Sequence, residues 1–116
     1  MRFIATMLVA IPLFAQGNYK NLKVLTPADM QAGAMRQFVA ALAPPGGCNF
    51  CHAAAPAGKD SDDNPKKETA RKMIAMVKDL NSKLSMDASK PAVTCYTCHR
   101  GKTTPDTAPP AGQPLP

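Results

Sequence analysis

The sequence predicts a small, mainly α-helical protein made of one unit used twice, and three observations predict it. Apolar residues recur at helical spacing in two stretches, each opened by a capping residue followed by proline and closed by proline or glycine. Each stretch leads into a C-x-x-C-H motif, Cys48-Asn49-Phe50-Cys51-His52 and then Cys95-Tyr96-Thr97-Cys98-His99. No alternation of apolar and polar residues lasts long enough to define a strand. A chain of 116 residues has room for one domain.

Residues 1–15 begin with Met1-Arg2 and continue as a mainly apolar run to Ala15, the outline of a secretory signal peptide. Export to the periplasm or outside the cell is the expectation, with a retained apolar N-terminal segment as the alternative. The run is shorter than the roughly 20 apolar residues of a membrane-spanning helix, and Pro12 interrupts it. There is no cysteine near its end, so the sequence does not support a lipid anchor there. The functional domain is expected over 16–104, followed by a tail at 105–116 rich in Pro, Ala and Thr.

The first helix opens at Thr26-Pro27-Ala28-Asp29: a hydroxyl cap, proline in the first turn and an acid three residues after the cap. Met35, Phe38, Val39 and Leu42 follow at helical spacing until Pro44-Pro45-Gly46-Gly47 stops the element. The second opens at Asn64-Pro65, and Met73, Met76, Val77, Leu80 and Leu84 trace an apolar stripe that fades near Lys90-Pro91. Between the units, residues 53–63 form a connector of small and acidic residues. The first cysteines of the two motifs are 47 positions apart, and two copies make a pair rather than a solenoid.

Together the motifs use all 4 cysteines and both histidines of the chain. Cysteines at this spacing reach the two vinyl groups of one porphyrin, and the next residue brings an imidazole under the iron, so the pattern reads as two covalently bound haem c groups. Cys48, Cys51, Cys95 and Cys98 would hold the porphyrins, with His52 and His99 as proximal iron ligands. Two C-x-x-C pairs can instead hold a structural zinc, and a single pair can be a redox dithiol. Zinc would take the four sulfurs and leave a matched histidine after each pair unexplained.

With both histidines assigned, the opposite face of each iron must be filled by methionine, lysine, tyrosine, an N-terminal amine, water or another chain's histidine. Met35 and Met73 are the leading candidates because each lies on the apolar stripe preceding its motif, 13 and 22 residues before Cys48 and Cys95. A methionine on such a stripe is more often core filler, and Met30, Met76 and Met86 remain rivals, Met76 foremost because it lies one turn from Met73.

Composition agrees with the motifs. Without the leader, the aromatics are Phe38, Phe50, Tyr19 and Tyr96, a thin supply of large side chains to which two porphyrins would add apolar surface. The formal charge of +6 falls to roughly +1 once Arg2 is cleaved and four haem propionates are added. Lys66, Lys67, Arg71, Lys72 and Lys78 read as the solvated face of a helix or a docking patch for an acidic partner, not as a nucleic-acid surface.

The residues 70–81, Ala-Arg-Lys-Met-Ile-Ala-Met-Val-Lys-Asp-Leu-Asn, and 93–101, Val-Thr-Cys-Tyr-Thr-Cys-His-Arg-Gly, resemble the multihaem cytochrome c subunit of purple-bacterial photosynthetic reaction centres. Leu22-Lys23-Val24-Leu25, the helix with Met35 and the segment from Gly47 to His52 are similar to that family's first haem segment, and the resemblance covers about Asn21 to Thr104. It implies Met35 and Met73 as distal ligands, Met73 over Met76. It also implies a pseudo-twofold pair of helix-plus-haem units with closely spaced porphyrins, passing electrons onward in the periplasm. Family members commonly carry four haem motifs, and this chain has the two of the first half. Asp87 stands eight residues before the second motif, where tetrahaem members place a histidine for a distant haem.

The reading is therefore a dihaem electron carrier rather than an enzyme. Its partners would be redox proteins, a membrane reaction centre or another electron-transfer complex. A haem-stacked filament of copies of this chain is the alternative. A haem enzyme would need an open iron face and polar distal groups, for which no histidine is spare.

Overall fold

A computed structural model describes residues 17–84, 87 and 89–113; the leader expected at 1–15 and the end of the tail lie outside them. The described residues form four α-helices and one 3-10 turn, with no strand among them. The mainly α fold class read from the sequence is the fold observed.

Helix α1 (Pro27–Gln31) begins where the cap signal sits. Asp29 donates its backbone N–H to Thr26 Oγ1 at 3.2 Å, and Asp29 Oδ2 accepts the Thr26 N–H at 2.8 Å, a reciprocal capping box. The single helix expected from here to Pro44 is in fact two. Gly33 adopts φ 83°, a left-handed conformation that costs other residues a Cβ clash, and it turns the chain before α2 (Ala34–Leu42). Its carbonyl still accepts the N–H groups of Arg36 and Gln37 at 3.0 and 3.2 Å, so the break also starts the next helix.

Helix α2 ends at Ala43, itself left-handed, whose N–H returns to the Val39 carbonyl at 2.8 Å before the two prolines. A 3-10 turn (Gly47–Phe50) carries the first motif. The long α3 (Pro65–Leu84) starts at the expected Asn64-Pro65, where Asn64 Oδ1 accepts the Lys66 N–H at 3.0 Å. The second motif is the short α4 (Cys95–His99). The two motifs thus sit on different turns, one 3-10 and one α-helical.

Helix α2 packs against α1 and α4, and Gly101 N–H donates to the Ala41 carbonyl at 2.8 Å where α2 and the second motif meet. Helix α3 is tied to the rest mainly by polar side chains. Lys78 Nζ reaches the Val24 carbonyl at 2.8 Å and Asp29 Oδ2 at 2.9 Å, and Arg71 Nη2 reaches the Asn21 carbonyl at 3.3 Å. Asn81 spans the segment ahead of the second motif, donating to the Val93 carbonyl at 2.8 Å and accepting the Val93 N–H at 3.0 Å.

Among the described residues the buried apolar side chains are Ala34 and Ala41, and no large one is fully enclosed. Larger apolar groups instead line two cavities of about 600 and 680 Å³, the size range of small-molecule and cofactor sites. The face of α3 turned inward carries Ala70, Arg71, Ile74, Val77, Lys78 and Asn81. The stripe read from the sequence only grazes that face. Met73, Met76, Leu80 and Leu84 are exposed.

Candidate functional site

The first motif is shaped by the stop signal before it. The Gly47 N–H bonds the Pro44 carbonyl at 3.0 Å, and one further turn closes with the His52 N–H on the Cys48 carbonyl at 3.0 Å. Cys48 is exposed, while Cys51 and His52 are half-buried in the wall of the first cavity. Burial pushes the Cys51 thiol up, since a thiolate would lose its water there.

His52 Nδ1 lies 2.9 Å from the Lys59 carbonyl oxygen. A carbonyl only accepts, so Nδ1 carries the proton and Nε2 is left with a free lone pair. His99 repeats the arrangement on a different turn, its Nδ1 2.8 Å from the Lys102 carbonyl. Metal-bound histidines are held this way, by a hydrogen bond from the other ring nitrogen that fixes tautomer and orientation. In both rings Nε2 is the nitrogen left without a proton.

The second motif is ordered by its own residues: the Thr94 N–H donates to Thr97 Oγ1 at 2.9 Å, and left-handed Arg100 ends the turn. Cys95 is half-buried in the wall of the second cavity, Cys98 is exposed and His99 is half-buried. Desolvation raises the Cys95 thiol, reinforced by Cys98.

The two sites differ in how far the chain assembles them. Met35 and its rival Met30 line the first cavity together with Cys51 and His52, so α1 and α2 each contribute a methionine to the cavity that His52 also lines. In the second cavity Cys95 lies with Leu25, Phe38, Ile74 and Val77, and among the described residues no methionine lines it. Met73 and Met76 are 41% and 46% exposed on a face of α3 about a quarter-turn or more away. Met86 lies outside the described residues.

A cluster not anticipated from the sequence flanks the first cavity. Asp62 pairs with Lys23 at 2.8 Å, Arg71 at 2.9 Å and Lys67 at 3.3 Å, tying the N-terminal segment to α3. Arg71 above all, then Lys23, hold the Asp62 carboxyl far below the usual carboxylate range. Lys67 also donates to the Lys59 carbonyl at 2.9 Å and the Ser61 carbonyl at 2.7 Å. Its side chain is only 12% exposed, whereas the sequence placed it on a solvated face. The carbonyls of Lys59 and Lys102 were illegible for a simpler reason: every residue has one.

The residues fit a covalently held haem. Each motif presents two thiols and a tautomer-fixed imidazole, and the first site adds thioether sulfur and an apolar cavity. Among the described residues no three His, Cys, Asp or Glu side chains gather into a metal site, so the four-sulfur cage of the zinc reading does not form.

Helices around paired C-x-x-C-H turns with carbonyl-held imidazoles are the build of a c-type cytochrome. Sequence comparison narrows the class. The family described as photosynthetic reaction centre cytochrome C subunit matches residues 12–109, and the chain belongs to that family. It is similar to the photosynthetic reaction center cytochrome c subunit of Thermochromatium tepidum, 36% identical over 91 residues, 75% of this chain and 22% of that protein. The subunit of Rubrivivax gelatinosus is 36% identical over 92 residues, 75% of this chain and 24% of the relative. That of Roseobacter denitrificans is 32% identical over 99 residues, 78% and 26%. The chain therefore spans about a quarter of the length of these curated relatives.

Proposed function

We propose that this chain is a dihaem c-type cytochrome that relays single electrons on the periplasmic or extracellular side of a membrane, with residues 1–15 as its cleaved leader. The observation that carries the proposal is the pair of imidazoles, each held through Nδ1 by a backbone carbonyl. Bound there, each haem would supply a one-electron ferric/ferrous couple. Cys48 and Cys51 would anchor the first, Cys95 and Cys98 the second, and His52 and His99 would coordinate through Nε2.

Met35 is the proposed distal ligand at the first site, supported by its place in the cavity with His52 and by its position on a helix. Met30, on the shorter α1, is the residue it must be distinguished from. Met73 is proposed at the second site on the family resemblance, and its partly exposed side chain on α3 leaves its sulfur without an enclosing partner. Thioether ligation places both couples higher than bis-histidine ligation would. The remaining role of the chain is to keep both iron faces occupied, which suits a carrier and leaves no place for substrate.

The partners proposed are redox proteins, among them a reaction centre or another electron-transfer complex. No helix among the described residues is long and apolar enough to cross a membrane.

Intact mass of the protein exported from a host competent in cytochrome maturation tests the core of this reading. The expected mass is the leader-free chain plus two haems, with low-spin ferric spectra. Replacing Met35 or Met73 by Leu should convert one haem each to a high-spin or altered spectrum. A chain without covalent haem would refute the function; unchanged spectra would refute only the distal ligands.

A further inference from the structure

We infer that Lys67 is a positioning residue that raises the reduction potential of the haem held by His52 by weakening the hydrogen bond between the His52 ring and the Lys59 carbonyl. The inference rests on the proposed haem ligation. It comes from one oxygen: Lys59 O accepts His52 Nδ1–H at 2.9 Å and the Lys67 ammonium at 2.9 Å. At the second site, His99 Nδ1–H meets Lys102 O at 2.8 Å, and among the described residues no cation shares that oxygen. The Lys102 ammonium turns instead to Asp106 at 2.6 Å.

A carbonyl that accepts strongly from Nδ1–H pushes electron density through the ring to Nε2, which favours the more positive ferric iron. An ammonium on the same oxygen draws on the same electron density in a charge-assisted bond, so the ring receives less. The positive charge acts in the same sense, although Asp62 at 3.3 Å offsets much of it. Both effects disfavour ferric iron and raise the potential. Lys67 is held for this role by three partners, Lys59 O, Ser61 O and Asp62, and is nearly enclosed.

The sign separates this role from a merely structural one. If Lys67 only braced the loop, removing it would free the Lys59 carbonyl from His52 and move the potential up. If it competes for the oxygen, removing it strengthens the ring's bond and moves the potential down.

Spectroelectrochemical titration of Lys67→Met should show one of two one-electron waves lowered by about a tenfold change in the ferrous-to-ferric ratio, 59 mV, with the other unmoved. In the ferrous protein the His52 Nδ1–H resonance should move downfield by NMR. Lys67→Arg, which keeps charge and donors, should restore most of the shift. Lys23→Met removes a cation from the same Asp62 cluster without touching Lys59 O and should leave both waves in place. An upward or absent shift in Lys67→Met, or an equal shift in Lys23→Met, overturns the inference. Intact mass keeps the outcomes apart, because a variant that still carries two haems but shows no shift refutes the role of Lys67 alone.

Discussion

At the scale of single residues, the site depends on where polar groups find partners. The C-x-x-C-H pattern marks His52 and His99 as candidate iron ligands in the sequence, but what orients each ring is a main-chain oxygen seven or three residues onward. No side-chain type announces such an acceptor. Asp62 is a second case, an acid in a loop of small and acidic residues that becomes the shared anion of Lys23, Lys67 and Arg71. Its carboxyl is held below the ordinary value of 3.8, as is that of Asp29, by the Thr26 backbone and then Lys78. Depressed folded-state values contribute stability that is fully present above the unfolded value and disappears as pH falls through the folded one. Urea midpoints should therefore be level above about pH 5 and fall progressively below 3.8. Asp62→Asn should lower the midpoint at neutral pH and flatten the acid limb; a parallel curve would show that the cluster does not contribute.

At the scale of elements, the starts of α1 and α3 were legible and the division of α1 from α2 was not. Thr26-Pro27-Ala28-Asp29 and Asn64-Pro65 mark α1 and α3 because capping is local chemistry between residues two or three apart. The break at Gly33 was missed because Met35, Phe38 and Leu42 keep helical spacing on one side of it, and spacing alone does not register a left-handed residue. A Cβ at Gly33 would meet the Arg36 side chain at 2.8 Å, a flexible group that can move, so backbone conformation sets the main cost. Gly33→Ala should destabilise the holoprotein by about 1–2 kcal/mol, read as a lower denaturation midpoint with unchanged haem content. No loss would mean that the chain straightens there without harm. The inward face of α3 was missed for a related reason. Hydrophobicity picked out Met73, Met76, Leu80 and Leu84, whereas Arg71, Lys78 and Asn81 turn inward because their partners lie there.

At the scale of the whole molecule, the two buried alanines among the described residues are a small apolar interior. Burial of that size does not offset the conformational entropy of ordering the backbone, so bound cofactor is expected to supply the remaining apolar contact. A Cys48→Ser, Cys51→Ser, Cys95→Ser, Cys98→Ser chain should show reduced helical circular dichroism and a broad calorimetric transition, against a sharp one for the haem-bearing protein. A cooperative melt of the quadruple variant would show that the polypeptide is stable without that contact.

Sequence alone determined the mainly helical class, the starts of α1 and α3, the paired motifs and the family resemblance that the comparison bears out. These rest on chemistry between residues a few positions apart, which a linear chain displays directly. Tertiary structure decided that Met30 and Met35 share a cavity with Cys51 and His52, that Met73 faces outward, and that Lys67 reaches the oxygen holding His52. Each of these brings together groups from separate elements, or turns a helix face toward one partner rather than another, and only the folded path of the backbone fixes such distances.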